Sequence, residues 1–500
     1  MIASAFLHQN LEITILTMAF ISIILSSYLY KLSHRSQFSI PIIRSGQEKW
    51  FHRYDPKFKK IEEGFMIKNH NNKYQKYRLI DKNISNKYGY HNQVKKNERS
   101  SLSTIADEYK NLPFVSIIVP ARNEEEYIER CINSLLNQDY PSFEIIVVDD
   151  NSTDNTSKIL ENIKNNITNN TLPTAKSSGS VRSLDRLKII TLKGKPEGWT
   201  GKTWASQKGF LESKGDLLLF TDADTYYSKR DTIEKTVVYM QRDNLDVLTA
   251  IPTSEKLTNF WSKVTIPMWD FTNILFGVGS IAEVNNPKSK IAYLMGSFFM
   301  IKRKVFVSIG TFESVHGEIQ EDKALGILIK KRGYKLRLVK LKDMVYTLWA
   351  DDLMSLWHGI GRTVAPLVLR NKAKVLLNLF IIFFCCILPF VLFPIDLAIA
   401  FKVTFPLLSK DIHTIPFHIQ FYLPIVSLLA CLLVFVFSSI KSRETGIPMT
   451  YVLGTPIGSV FVFIACVYNI VPLLIHGNTK PILWQGRQYI YKKEQEGFAL

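Results

Sequence analysis

Cysteine is scarce in this chain, five in 500 residues, with no Cys-x-x-Cys pair and no Cys/His spacing suited to zinc. A disulfide framework and a structural zinc site are therefore not expected. Acid is in short supply too. Lys and Arg total 62 against 44 Asp plus Glu, a formal charge of +18, which argues for an anionic partner rather than an acidic solvating chain. With 24 Gly, 20 Pro and 46% hydrophobic residues, the composition excludes a collagen-like repeat and a chain disordered throughout. No internal repeat is visible.

Charge is also missing locally. Residues 13–30, 375–395, 417–439 and 450–475 contain no Asp, Glu, Lys or Arg, and each is near or above the roughly 20 residues that span a hydrocarbon core. The first run has no basic leader and no small-residue cleavage site, and Lys31, His34 and Arg35 follow it, so it reads as an uncleaved anchor. Those basic residues place the long middle section in the cytoplasm. Arg370, Lys372 and Lys374, and then Lys441 and Arg443, agree with a cytoplasmic start and return of the next two runs, whereas Lys480, Arg487, Lys492 and Lys493 after the last run do not. The side of the tail stays open at this level, a partial crossing near residues 396–408 being one resolution.

The expected organisation is an N-terminal transmembrane anchor (1–35), a basic juxtamembrane linker (36–111), a folded domain (112–348), an interfacial helix (349–371), C-terminal transmembrane helices (372–476) and a basic tail (477–500). The linker is either a solvated connector or a docking surface for anionic lipid, each basic residue near the membrane contributing about 1 kcal/mol. No nucleic-acid motif accompanies its charge, so nucleic acid is not the expected partner.

From Phe114 onward short apolar runs alternate with helical patterns: VSIIVP, EIIVVDD, LKIITL and DLLLFTDAD, with helices after each of the first three. This is the signature of an α/β domain with a mostly parallel sheet, where ligands gather beyond the carboxyl ends of the strands. The polar stretch 161–186 reads as a surface loop. Asp149 and Asp150 close one strand, and Asp222 and Asp224 follow another. Uncompensated carboxylates there are costly as packing but suited to a polar ligand or a divalent cation that bridges phosphate oxygens. The dehalogenase-type phosphatases also place Asp-x-Asp after an apolar strand. They want Thr or Val two positions past the second Asp, where this chain has Tyr226.

PARNEEEYIERCINSLLNQDYP, EIIVVDDNSTDNT, GWTGKTWASQKG, LLLFTDADT and EIQEDKALG, in this order, resemble the family 2 glycosyltransferases of the GT-A fold. GWTGK, VNNPKSKIAYLMGSFFMIKR and the flanking apolar runs are most similar to the membrane glycosyltransferases associated with hopanoid and carotenoid pathways, and more distantly to ceramide glucosyltransferases. The resemblance covers about residues 112–490. It implies a Rossmann-like, mostly parallel α/β GT-A domain on the cytoplasmic face of the cell membrane, with one N-terminal and about three C-terminal transmembrane helices.

It also implies roles. Pro120, Arg122, Asn123 and Glu124 hold the nucleotide base and ribose with Asp149 and Asp150, and Lys202, at the start of a helix, approaches the diphosphate. Asp222 and Asp224 are the metal and sugar-nucleotide acids, Asp224 the more direct ligand of Mg2+ or Mn2+. The Asp of Glu321-Asp322 is the general base, a carboxylate suited to taking a hydroxyl proton, and Arg362 replaces the diphosphate Arg of the Gln-x-x-Arg-Trp motif. In LWHGIGRTVAP that motif's Gln and Trp are missing, which argues against a processive polysaccharide synthase. The expected protein is a membrane-bound inverting hexosyltransferase moving one sugar from a nucleoside-diphosphate donor, a UDP-sugar first and a GDP-sugar second, to a lipid. The rivals are the processive synthase and a non-catalytic nucleotide-sugar-binding scaffold. Trp349, Trp357, His358 and the segment from Asp351 fit an interfacial helix at a lipid entrance.

Overall fold

Buried runs of β-branched and Leu residues set the centre of the fold. VSIIVPA forms β4 (Val115–Ala121), with β1 (Ile42–Arg44), β2 (Met66–Lys68) and β3 (Tyr74–Lys76) before it. FEIIVVD forms β5 (Phe143–Asp149), LKIIT β6 (Leu187–Thr191) and LLLF β7 (Leu217–Phe220). Nearly every residue of β4, β5 and β7 is buried, as expected of strands covered on both faces. These four strands are parallel, in the order β7-β4-β5-β6, with Ile117 level with both Ile145 and Leu219, and Asp149 level with Ala121 and Thr191. Their carboxyl ends therefore finish along one edge.

The sheet continues past β7 through β10 (Phe299–Lys302), β9 (Val247–Ser254) and β11 (Leu336–Thr347), with β8 (Thr225–Tyr227) and β1 paired to β11. Only β10 and β8 run antiparallel to their neighbours, so the sheet is mixed but mostly parallel. This computed structural model describes residues 41–44, 66–68, 74–76, 112–169, 186–254, 257, 259–275, 281–348, 353–404, 417–476, 482–484 and 487–489. The apolar run 13–30, most of the linker, Trp349 and Asp351 lie outside them. The linker reading needs one correction. Ile42–Arg44 pair in parallel with Lys340–Lys342 as an edge strand of the main sheet, an assignment that three residues carry too little periodicity to announce.

Helices follow the strands. α1 (Ile128–Leu136) buries Ile128, Cys131, Ile132 and Leu135, one face at helical spacing. α2 (Thr156–Asn169) runs into the stretch expected to be loop: Leu160 and Ile163 are buried on the main core, so an apolar face hidden among asparagines outweighs their poor propensity. α3 (Gly201–Leu211) is capped by Thr200, whose Oγ1 accepts from Thr203 N at 3.2 Å. A Cβ on Gly209 would lie 2.5 Å from Ile118 Cγ2, which is why this helix can lie flush on the sheet. α4 (Thr232–Arg242), α5 (Phe260–Leu275), α6 (Ile281–Asn285), α7 (Arg303–Ser308) and α8 (Glu321–Lys331) complete the domain. α8 begins with Glu321 and Asp322 and ends with Lys330 and Lys331, the polarity its dipole favours.

Beyond β11 come α9 (Leu353–Arg370), α10 (Lys372–Ile382), a π-helical turn at Phe383–Ile387, α11 (Leu388–Thr404), α12 (Phe417–Thr445) and α13 (Thr455–His476). Three stretches here, Lys372–Ala398, Tyr422–Thr445 and Met449–Ile475, are long and apolar enough to span a membrane, with mean hydropathy from 2.9 to 2.2. They share one core with α5 and α9, where Trp269, Ile360 and Val364 meet Ile382, Phe437 and Ala465. Leu377, Phe380, Leu432, Val436 and Ile464 face outward, an apolar surface of the kind lipid covers. Short strands β12 (Ile482–Trp484) and β13 (Arg487–Tyr489) form a hairpin after α13, within the stretch read as a plain basic tail.

Candidate active site

Two clusters of sequence-predicted residues sit at the carboxyl edge of the parallel strands, and they differ in charge. At the β4/β5 end, Asn123 and Asn151 take left-handed conformations, φ 54° and 56°, which asparagine tolerates better than most residues. The turns they make are clasped together. Arg122 Nη1 donates to the carbonyls of Asp150 (2.6 Å) and Asn151 (2.7 Å), Asn123 Oδ1 accepts from Thr153 N (2.8 Å), and Glu124 N donates to Thr156 Oγ1 (2.8 Å). Pro120 stands level with Val148 within β4.

Asp149 and Asp150 part company here. Asp149 accepts from Ser152 N (3.0 Å), Ser152 Oγ (2.5 Å) and Ser157 Oγ. Fully buried, its carboxylate is committed to the turn that starts α2. Asp150 is instead gripped in a two-point ion pair by Arg487 of β13, and burial raises its pKa although Arg487 and Arg122 pull it down.

The second cluster surrounds Lys202 at the first turn of α3. Lys202 Nζ lies 2.7 Å from Asp222 Oδ1 and 3.2 Å from Glu321 Oε1, joining the segment after β7 to the start of α8. The Met295–Ser297 backbone presses against this pair, and a Cβ on Gly296 would lie 2.7 Å from Lys202 Nζ and 3.2 Å from Asp222 Oδ2. Asp224 Oδ1 accepts from Thr225 and Thr347 hydroxyls, both at 3.4 Å. Asp322 Oδ1 accepts from Lys323 N (2.7 Å), and its carbonyl takes Leu294 N (3.2 Å). α9 brings Arg362 within electrostatic reach of Asp222, Asp224 and Glu321, and Gln320 Nε2 ties the helix in through Thr363 O at 3.5 Å.

Five carboxylates, Glu124, Asp222, Asp224, Glu321 and Asp322, thus share this end with two cations, Lys202 and Arg362. The imbalance shows in their acidities. Burial, then Asp224 and Asp222, push Glu124 up to about 8; burial and Asp222 push Asp224 to about 7; burial and Glu321 push Asp322 to about 7. Burial works against the Lys202 ammonium, but Asp222, Glu321 and Asp322 outweigh it and hold its pKa above the ordinary lysine value. Clustered acids whose acidity is lowered by burial and by one another mark a candidate functional site. Among the described residues no three His, Cys, Asp or Glu side chains form a complete metal site. Asp222 and Asp224 fit a hard divalent cation as a partial oxygen donor set, completed by a ligand's own oxygens.

Residues 116–310 match the profile of Glycosyl transferase family 2. The chain carries a glycosyltransferase family 2 domain. The domain's mostly parallel α/β sheet is of the GT-A type, and the match includes Arg122, Asn123, Glu124, Asp149, Asp150, Lys202, Asp222 and Asp224, whereas Glu321, Asp322, Thr347, Arg362 and Arg487 lie beyond it. The chain is 29% identical over 184 residues to a beta-monoglucosyldiacylglycerol synthase of Nostoc sp., covering 35% of this chain and 34% of that protein. It is 33% identical over 135 residues to the poly(ribitol-phosphate) beta-N-acetylglucosaminyltransferase TarS of Staphylococcus aureus, covering 27% of this chain and 20% of that protein. It spans half the length of YdaM of Bacillus subtilis, to which it is 29% identical over 237 residues. Among solved structures, the mannosyltransferase PcManGT of Pyrobaculum calidifontis, in complex with GDP-Man and Mn2+, overlays with TM-score 0.38 at 18% identity, covering 74% of this chain and 94% of that one.

Sequence reasoning missed Arg487 and Lys195 beside Asp150, and the Gly296 backbone beside Lys202. A lone arginine in a basic tail carries no local signal of where it docks. Gly296, within the quoted MGS stretch, could have been flagged as a close backbone approach.

Proposed function

We propose that this protein is a membrane-bound inverting glycosyltransferase that moves one sugar from a nucleoside-diphosphate sugar to a lipid acceptor on the cytoplasmic face. The observation that carries the reading is the cluster of Asp222, Asp224, Glu321 and Asp322 around Lys202, beside a helix, α9, that is continuous with the apolar bundle. The site thereby meets the level at which a lipid headgroup lies. The similarity to an enzyme named for a glycolipid product supports a lipid acceptor.

In this reading the acceptor hydroxyl oxygen attacks the anomeric carbon as the bond from that carbon to the diphosphate breaks, inverting the centre. Asp322, whose pKa of about 7 suits a base at neutral pH, takes the hydroxyl proton. Lys202 and Arg362 face the diphosphate, and Glu321 keeps Lys202 in place. A divalent cation, Mg2+ or Mn2+, held by Asp222 and Asp224 would offset charge on the departing diphosphate. Arg122 and Asn123 shape the nucleoside end, with Glu124 between the two clusters. A UDP-sugar is the first donor to test, a GDP-sugar the second.

The test is mass spectrometry of membrane lipids incubated with purified full-length protein and a panel of sugar nucleotides. A single new mass, one hexose heavier than its acceptor, is expected. It should vanish in Asp224→Asn and in Asp322→Asn, each with a melting temperature no lower than that of the wild type. A ladder of masses would replace single transfer by processive synthesis, and full turnover in either mutant would remove that residue from the mechanism.

A further inference from the structure

A lysine in the last turn of a helix ordinarily serves that helix's own carbonyl end. Lys330 of α8 is turned to another segment instead. Its Nζ donates to the carbonyls of Glu283 (2.9 Å), Asn286 (2.9 Å), Ser289 (3.2 Å) and Ile291 (2.7 Å), more acceptors than the ammonium has protons. The chain from Asn286 to Leu294 forms no helix or strand, so these carbonyls have no ladder to satisfy them. Collecting them carries a cost. Ordering the long side chain loses rotamer freedom, and burial pulls the Lys330 pKa down to about 8 although Glu283 opposes the shift. A lysine without such a task stays in water.

The segment so gathered runs directly into the site. A Cβ on Gly326 would lie 2.8 Å from Tyr293 Cα, so α8 and the segment meet backbone against backbone. Leu294 N donates to Asp322 O (3.2 Å), Met295 N donates to Thr249 Oγ1 (2.7 Å), and Ser297 O accepts from Thr221 Oγ1 (2.8 Å). Gly296 stands between Met295 and Ser297, and its backbone presses on Lys202 and Asp222. α8 therefore presents Glu321 and Asp322 at its start and fastens the facing wall of the same site at its end.

Resting on the donor reading above, we propose that Lys330 is a positioning residue of the donor site: by collecting four carbonyls it holds the Gly296 backbone against Lys202 and Asp222, and so sets the place from which Lys202 meets the diphosphate. Without the ammonium the four carbonyl dipoles face one another uncompensated, the turns between Asn286 and Leu294 spread, and Lys202 gains room to leave its place. The effect falls on affinity for the nucleotide, because Lys330 itself touches neither the donor nor the groups that break and make bonds.

The experiment titrates full-length protein in nanodiscs with UDP and with GDP, in the presence of Mn2+, in a calorimeter, which reads affinity and the number of binding sites separately. Lys330→Met is expected to weaken binding of the nucleotide that the wild type takes by about fivefold or more, with the number of sites unchanged. A merely structural role gives the opposite pattern, since an unfolded fraction removes sites and leaves the affinity of the folded remainder as it was. Gly326→Ala pushes Tyr293 away while keeping Lys330, and is expected to weaken binding in the same way; it decides the matter should Lys330→Met fail to fold. Lys331→Met, at the exposed neighbour in the same turn, should bind like the wild type. Wild-type affinity in the folded variants, or an equal loss in Lys331→Met, overturns the positioning role and leaves the donor reading standing. A wild type that binds neither nucleotide overturns both.

Discussion

Replacing Lys202 by Met removes the cation that joins Asp222 and Glu321 and leaves five carboxylates with only Arg362 nearby. The Lys202 and Glu321 side chains are 22% and 8% exposed, and Asp222 is 31% exposed. Breaking a buried pair by deleting one partner costs about 3–5 kcal/mol. Solvent at Asp222 relieves part of that, so about 3 kcal/mol is expected at alkaline pH. For a domain of this size each kcal/mol moves Tm by about 2–4 °C, which gives a drop of roughly 6–12 °C.

The pH dependence has a definite sign. Glu124 is raised to about 8, and Asp224 and Asp322 to about 7, against an unfolded carboxyl value near 4. Folding stability associated with such acids is complete below about pH 4 and is lost as pH rises through about 7 to 8. Without Lys202 the repulsion grows, so the deficit of Lys202→Met should be largest near about pH 8.5 and shrink toward about pH 5, where the carboxylates hold protons. Thermal unfolding followed by tryptophan fluorescence, with EDTA and no nucleotide, measures it. A drop of less than about 2 °C near pH 8.5, or a deficit that grows on acidification, would refute the electrostatic account.

Three further substitutions test other parts of the molecule. Leu219→Ala, at a fully buried position level with Ile117 and Met300, should cost about 3 kcal/mol in thermal unfolding while donor KM stays unchanged. Gly458→Leu sets a side chain where Val264 O already stands; forcing α13 off α5 should cost about 2–3 kcal/mol, read as a lower melting temperature that saturating UDP does not restore. Ser157→Ala deprives buried Asp149 of a donor and should cost about 1–2 kcal/mol in denaturant unfolding. Nucleotide affinity in this variant should stay within twofold of wild type, and a tenfold loss would instead place Asp149 in the ligand site.

The chain's own pattern determined the central strands, because parallel strands buried on both faces must be continuous apolar runs, and VSIIVPA, FEIIVVD and LLLF are such runs. It also determined the three C-terminal apolar stretches and the acids at the strand ends, since a carboxylate beside LLLF is conspicuous in one dimension. The edge strand at Ile42–Arg44, the helical turns after Glu161 and the antiparallel insertion of β10 were illegible, because three or four residues, or an apolar face diluted with asparagine, carry little periodicity. Asp149 and Asp150 look alike in sequence. Only the fold separates them, giving one to the hydroxyls of Ser152 and Ser157 and the other to Arg487, 337 positions away. The pairing of Lys202 with both Asp222 and Glu321 is of the same kind. Local burial and helix or strand period are properties of neighbouring residues, so the sequence displays them directly. Which charges neutralise one another depends on where the chain returns in space, and that was decided by packing α8, α9 and the C-terminal hairpin against the carboxyl edge of one sheet.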